Sequence, residues 1–259
     1  MRKERIKKLI EENGKVTTYV YLFLRLLVII CMIREIANGN IFNALLCVLS
    51  LVMFLLPFIV EKTFKVNLPP TLEIMILIFI YSAEILGEIN NFYGIFANFD
   101  QVLHIINGFL AASVGFSLIY LLNENIHSIK LSPIFVSIVA FCFSMTIGVI
   151  WEFFEYGMDK YFNFDMQKDT YVDKINTVIF NDKNEVYTYG PIEHTIIYNK
   201  KNDEIKYIEG YLDIGLNDTM EDLWVNFIGA FVYSIFGYLY IVNKEKYKLV
   251  EKFMTTKNS

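Results

Sequence analysis

Apolar residues run along this chain in blocks of roughly twenty, separated by short polar stretches. A helix needs about 20 mostly apolar residues to cross the hydrocarbon core of a bilayer. Six blocks meet that requirement. They are residues 16–36 ("VTTYVYLFLRLLVIICMIREI"), 41–60, 70–88 (opening on Pro69-Pro70), 100–122 ("DQVLHIINGFLAASVGFSLIYLL"), 133–156 and 219–242 ("TMEDLWVNFIGAFVYSIFGYLYIV"). Residues 157–218 break the pattern. They are polar, rich in tyrosine and too long for an ordinary connection. "NTVIF" and "EVYTY" flank "NDKN", and "HTIIY" and "EIKYIEGY" flank "NKKND", so each pair reads as a β-hairpin. The pattern predicts an all-α membrane protein with six transmembrane helices and a small β-rich insertion between helices five and six. Its expected parts are a basic N-terminus (1–15), helices one to five (16–156), the insertion (157–218), helix six (219–242) and a tail (243–259).

Composition agrees with the blocks. Hydrophobic residues make up 55% of the 259 positions, against about 45–50% in soluble chains, and mean hydropathy is +0.41. The net charge of −5 excludes nucleic acid as the expected partner. Cys31, Cys47 and Cys142 all fall inside apolar blocks and read as buried core thiols, with no CxxC pair. The first block lacks a small-x-small cleavage site and reads as an uncleaved span.

Lys and Arg set the expected orientation. Arg2, Lys3, Arg5, Lys7, Lys8 and Lys15 precede the first block. Lys62 and Lys65 follow the second, Lys130 and His127 follow the fourth, and Lys244, Lys246, Lys248 and Lys252 follow the sixth. With six spans all fall on one side, which places both termini in the cytoplasm and the insertion outside. Arg34 is expected to snorkel to the interface or to pair with Glu35 or a neighbouring helix, and Arg25 to need a partner on another helix.

On that topology the polar residues inside the blocks converge on the outer leaflet. Glu84 and Glu88 end span three. Asp100 and His104 open span four. Glu152 and Glu155 end span five. Asp218, Asp222 and Asn226 open span six. Spacings of three and four put each set on one helix face. His104 then lies about 6 Å below Asp100, and Asn226 about 12 Å below Asp218. Some positions have an ordinary explanation. Asp100 fits an N-cap, and Asp218 with Glu221 or Thr219 with Asp222 fits a capping box. Glu152 and Glu155 do not, because acid at a helix C-terminus opposes the dipole.

These residues predict a polar site in which His104, Glu152 and Glu155 are the catalytic candidates and Asp100, Asp222, Asn226 and Glu88 bind. Carboxylates this close require a shared proton or a cation. His104, Glu152, Glu155 and Asp222 are the candidate ligands of a divalent cation such as Mg²⁺, Mn²⁺ or Zn²⁺. No HExxH, GxSxG, P-loop or GxGxxG is present. Gly108, Ala111, Ala112 and Gly115, with Gly229, Ala230 and Gly237, allow close helix packing.

"DQVLHIINGF" (100–109), "WEFFE" (151–155) and "DTMEDLWVNFIGA" (218–230), with "GEINNFY" (87–93), resemble the uncharacterised YjdF-type membrane-spanning family of bacteria. A looser similarity is to VanZ-like proteins, with their D-x-x-x-H, E-x-x-Q and D-x-x-x-N-x-x-G elements. Glu155 stands where that pattern has Gln, and the β-rich insertion replaces its Arg-containing loop. The resemblances imply a multi-pass bacterial plasma-membrane protein. The VanZ-like one, through its association with glycopeptide-antibiotic tolerance, points to the cell envelope. Three readings stay open. The first is binding or modification of a lipid-linked or cell-wall-related ligand among the membrane lipids, with Glu152 or His104 as general base. The second is transport of protons or small solutes. The third is a non-catalytic assembly protein whose acids form a structural network.

Overall fold

The structure, a computed structural model, describes residues 2–125, 130–180, 182–201 and 203–257. His127, Asn181 and Asn202 lie outside the described residues.

Among the described residues five helices are long and apolar enough to cross a membrane: Gly14–Ala37, Ile41–Phe64, Phe99–Glu124, Pro133–Phe162 and Leu216–Val242. The first lies in α1 (Arg2–Ala37). The second comprises α2 (Ile41–Met53) and α3 (Leu56–Phe64), joined at Phe54-Leu55, with Pro57 in the first turn of α3. Proline suits that position because it has no N–H to lose.

The expected third span is not one of the five. After a two-residue strand β1 (Val66–Asn67), α4 (Pro70–Tyr81) is only 12 residues long, about 18 Å against about 30 Å of hydrocarbon. The chain then widens into a π-helix over Ser82–Ile89. Asn90 N–H bonds Ile85 C=O five residues back, at 3.1 Å. Gly87 sits under Tyr93, whose ring a β-carbon there would meet at 2.5 Å. The turn Asn90-Asn91, with Asn91 at φ 57°, leads into α5 (Phe92–Ile95). The remaining helices are α6 (Phe99–Asn125), α7 (Pro133–Phe162) and α8 (Leu216–Val242).

The chain forms two compact units, Met1–Val149 with Leu223–Ser259, and Ile150–Asp222. In the first, α1, α2 and α4 pack through Leu24, Val28, Cys31, Cys47, Leu77 and Ile80. Segments of α6, α7 and α8 pack through Ala112, Phe116, Val136, Ala140, Ala230 and Tyr233. Leu22, Phe23, Ile30, Leu45, Phe58 and Ile138 point outwards, while Ser50, Ser113, Ser117, Ser144 and Asn226 are buried. That inversion suits a lipid solvent, which offers apolar side chains no penalty and buried hydroxyls no water.

Gly108 and Gly229 bring α6 and α8 into backbone contact. A β-carbon on Gly108 would stand 2.1 Å from the Asn226 carbonyl oxygen, and one on Gly229 2.0 Å from that of Ile105. Three sequence expectations change in this unit. Arg25 is exposed, and it finds its hydrogen-bond acceptor on its own helix, at Tyr21 Oη (2.8 Å). Cys142 is exposed, unlike buried Cys31 and Cys47, because it lies on an outward face of α7.

The third change concerns residues 243–259, expected as a simple tail. A 3-10 turn (Lys248–Phe253) leads into β8 (Thr256–Lys257), which pairs antiparallel with β1. Val250, Met254 and Thr255 are buried. Thr255 N–H donates to Ser117 Oγ at 3.0 Å, and the Phe253 ring sits edge-on to Phe109. Lys244 donates to Glu124 at 3.0 Å beside Tyr120, and bonding to those two groups holds its ammonium above the usual lysine range. This strap supplies apolar side chains that the helices alone leave uncovered.

The second unit holds the end of α7, the start of α8 and three small antiparallel ladders. Both expected hairpins form, as β3 (Ile175–Thr177) with β4 (Tyr187–Tyr189) and β5 (His194–Tyr198) with β6 (Glu204–Glu209). A third ladder joins β2 (Thr170–Val172) to β7 (Tyr211–Asp213) and closes the base of the segment. Three-residue strands are too short for alternation to reveal them.

Candidate functional site

Glu152, Glu155 and Asp222 come together inside the second unit. Each offers a carboxylate oxygen, and the three oxygens all lie within 4.8 Å of one another. All three residues are buried, at 4, 8 and 2% exposure. Helical spacing puts Glu152 and Glu155 on one face of α7. Trp151 Nε1–H donates to Glu155 Oε1 at 2.9 Å, which orients that carboxylate from one turn away.

A short backbone strap fixes the two helix ends within this unit. Asp159, one turn beyond Glu155, accepts the N–H groups of Met166 (2.6 Å) and Gln167 (2.8 Å). Asp218, one turn before Asp222, accepts Lys168 N–H at 2.7 Å. The Gln167 side-chain amide donates to Thr219 Oγ1. The expected capping-box roles of Asp218 and Thr219 are therefore replaced. The helix starts earlier, at Leu216, and Asp213 takes the Asn217 N–H at 2.7 Å instead. Asp218 and Thr219 are left to hold residues 167–168, and this clamp sets Asp222 against the α7 acids. The surroundings are strongly acidic. Asp169 is held above the usual carboxylate range, by burial first and then by Asp165, Asp159 and Asp213.

The other polar residues belong to the first unit. Asp100 lies in the first turn of α6 rather than at its cap, because the helix begins at Phe99. Its carboxylate is 3.5 Å from His104 Nε2. Asn226 is fully buried and accepts a hydrogen bond from Asn107 Nδ2 at 3.1 Å. Asn226 Nδ2 lies 3.6 Å from Met145 Sδ and fills the space over Gly148. Ser144 Oγ–H donates to the Gly108 carbonyl at 2.8 Å. Glu84 is buried and Glu88 half-buried on the π-helical segment. Asn107 and Trp151 were missed as polar partners. Their signal was spacing, since Asn107 follows His104 by three residues and Trp151 precedes Glu155 by four.

Residues 17–243 match the sequence family described as "Predicted membrane protein (DUF2238)". The chain belongs to this family. Membership accords with the uncharacterised membrane family expected from the motifs, and with five helices of membrane-spanning length and apolarity. No curated protein and no solved structure matches the chain. The DUF2238 match covers α2 to α8 whole, and so includes Asp100, His104, Glu152, Glu155, Asp222 and Asn226.

Proposed function

We propose that this DUF2238 protein is a six-span plasma-membrane protein that uses Glu152, Glu155 and Asp222 to bind a cell-envelope ligand through a divalent cation. The observation carrying the reading is the mutual approach of three buried carboxylates within 4.8 Å. Like charges at that separation in a low dielectric cannot all ionise without a counter-charge. An oxygen-only donor set suits Mg²⁺ or Mn²⁺ better than a soft metal. Three protein oxygens leave coordination positions for water or for phosphate oxygens of a lipid-linked molecule. In a catalytic version Glu152 is the general base for a cation-held water. Asp100, His104, Asn226 and Glu88 are proposed for the same leaflet from their positions in the spans.

The β1–β8 pairing supports six crossings. It holds the segments that follow α3 and α8 at one end of the bundle. If residues 70–89 did not cross, only three spans would separate those segments, and they would lie on opposite faces. With six crossings, Lys62, Lys65, Lys244 and Lys248 share a side, which the positive-inside rule makes cytoplasmic. The end of α7 and the start of α8 then lie outside. The spacing shared with VanZ-like proteins points the ligand towards the envelope.

The test is Mn²⁺ titration of the purified full-length protein, followed by electron paramagnetic resonance. One tight site is expected, weakened about tenfold or more in Glu152→Gln or Asp222→Asn, since carboxylate count tunes hard-cation affinity. Equal Mn²⁺ binding by wild type and a Glu152→Gln/Glu155→Gln/Asp222→Asn variant, both folded, sinks the proposal.

A further inference from the structure

Helices α7 and α8 leave an open groove of about 350 Å³ between them. Ile134, Ser137 and Phe141 line it from α7, and Phe227, Ser234 and Tyr238 from α8. One end is closed by Phe141 and Phe227, whose rings meet edge-on at 5.1 Å. Ile134 and Tyr238 stand at the other end, in the first turn of α7 and one turn before α8 finishes at Val242. Side-chain size makes the groove. Ser137 and Ser234, each 6% exposed, form its floor, while Ile138, Phe231 and Ile235, all exposed, form its rims.

Hydrogen bonding accounts for only one of the two serines. Ser137 Oγ–H donates to the Pro133 carbonyl at 3.0 Å, the usual recourse of a serine inside a helix. Ser234 Oγ is buried and has no hydrogen-bond partner among the described residues. A buried hydroxyl without a partner is unfavourable, so what Ser234 contributes is its small size. Dimensions then decide the occupant. The groove runs about 10 Å along α7, from Ile134 to Phe141, and about 16 Å along α8, from Phe227 to Tyr238. One leaflet of hydrocarbon is about 15 Å deep. Spread over about 16 Å, the volume gives a cross-section of about 22 Å², that of a single extended hydrocarbon chain. A helix of the same length, about 10 Å across, fills on the order of 1,300 Å³ and does not fit. Tyr238, 37% exposed, puts a ring with a polar tip at the open end, where tyrosine favours the headgroup region.

We propose that this groove binds one acyl chain of a phospholipid from the leaflet at the α7 N-terminal end. The chain lies between the rims, with its methyl end against the Phe141–Phe227 pair and its ester end beside Tyr238. A polyprenyl chain is longer than one leaflet and would run past that closed end. The bound lipid fills the notch over Ser137 and Ser234, unlike the fluid lipid that covers the outward faces. Phe135 on α7 and Phe236 on α8 are exposed and lie outside the groove, so they meet fluid lipid only. The site needs no cation and shares no residue with the carboxylates of α7 and α8.

The experiment uses the full-length protein in nanodiscs of palmitoyl-oleoyl phosphatidylglycerol, with a trace of the same lipid carrying a diazirine halfway along one acyl chain. After illumination, peptide mapping locates the adducts. Labelling at Ile138 and Ile235 should exceed that at Phe135 and Phe236 several-fold, and added polyprenyl phosphate should leave it unchanged. Native mass spectrometry after detergent extraction should find one phospholipid retained per chain. Ser234→Ala keeps the floor small and should retain it. Ser234→Leu fills the floor and should lose it while eluting from size exclusion as the wild type does. Should Ser234→Leu not fold, Ser137→Leu makes the same test from α7. Equal labelling inside and outside the groove, or a lipid retained by a folded leucine variant, would overturn the site. Displacement by polyprenyl phosphate, or loss of the lipid in Ser234→Ala, would overturn a phospholipid acyl chain as its occupant.

Discussion

Alanine at Gly108 tests how closely α6 and α8 must approach. Its β-carbon would stand 2.1 Å from the Asn226 carbonyl oxygen, and the reciprocal Gly229→Ala would place one 2.0 Å from that of Ile105. An ordinary carbon–oxygen contact is about 3.3–3.6 Å, so the helices must separate by about 1.2–1.6 Å. Neither oxygen can swing away, because each belongs to helical backbone. Overpacking of this kind costs about 1–3 kcal/mol. Separation also stretches the Asn107–Asn226 bond from 3.1 Å beyond useful length, at about 1 kcal/mol. Alanine returns about 1 kcal/mol of helix propensity. The net is a loss of about 1–3 kcal/mol for either variant. One separation relieves both clashes, so the double variant should cost clearly less than the sum of the singles. Gly14→Ala and Gly157→Ala meet nothing within 4 Å and should be neutral or stabilising by up to about 1 kcal/mol. Reversible unfolding in mixed detergent micelles measures all five. If Gly108→Ala is as stable as Gly14→Ala, the close-contact argument is wrong.

Two further outcomes follow from features away from that crossing. Met254→Ala empties a buried position in the strap and should cost about 2–5 kcal/mol, with faster protease cleavage near residues 243–247 as the readout; unaltered cleavage would show that the strap is held without it. Asp169 has a raised value in the folded state, so that state holds more protons than the unfolded chain above the ordinary carboxylate range. Stability therefore falls as pH rises through the raised value. Asp169→Asn should remove that loss and slow hydrogen exchange in the β2–β7 ladder at pH 7 but not at pH 4. The gain should be about 0.5 kcal/mol or less, because the residue is exposed. Faster exchange in the variant at pH 7 would reverse the sign of the argument.

Much of this architecture was legible because lipid imposes long apolar runs. Five blocks became long helices, but the third became a 12-residue helix and a π-helical segment. Hydropathy averages over a window and carries no sign of the π-helical hydrogen bonding over Ser82–Ile89 or of the Tyr93 ring over Gly87. Glu152, Glu155 and Asp222 stood out because buried acid is costly and no capping role explains Glu152 or Glu155. Asp218 offered a capping-box spacing, but the helix starts at Leu216 and its carboxylate holds Lys168 N–H instead. The strap was hidden for a different reason. Val250, Phe253 and Met254 have helical spacing, but Glu251 and Lys252 between them, with the lysines before them, give the stretch the look of a solvated end.

The β1–β8 ladder joins Val66 to Lys257, about three-quarters of the chain apart. Such a contact cannot form while the intervening helices are still being made, and its loop-closure entropy makes it late even afterwards. During synthesis the cluster around Phe109 and Tyr233 is therefore open for as long as residues 250–255 are missing. A chain stalled after α8 would have its long helices inserted and yet expose an apolar cleft at one end. That intermediate is the form a quality-control protease would meet, and arrival of the strap ends its exposure.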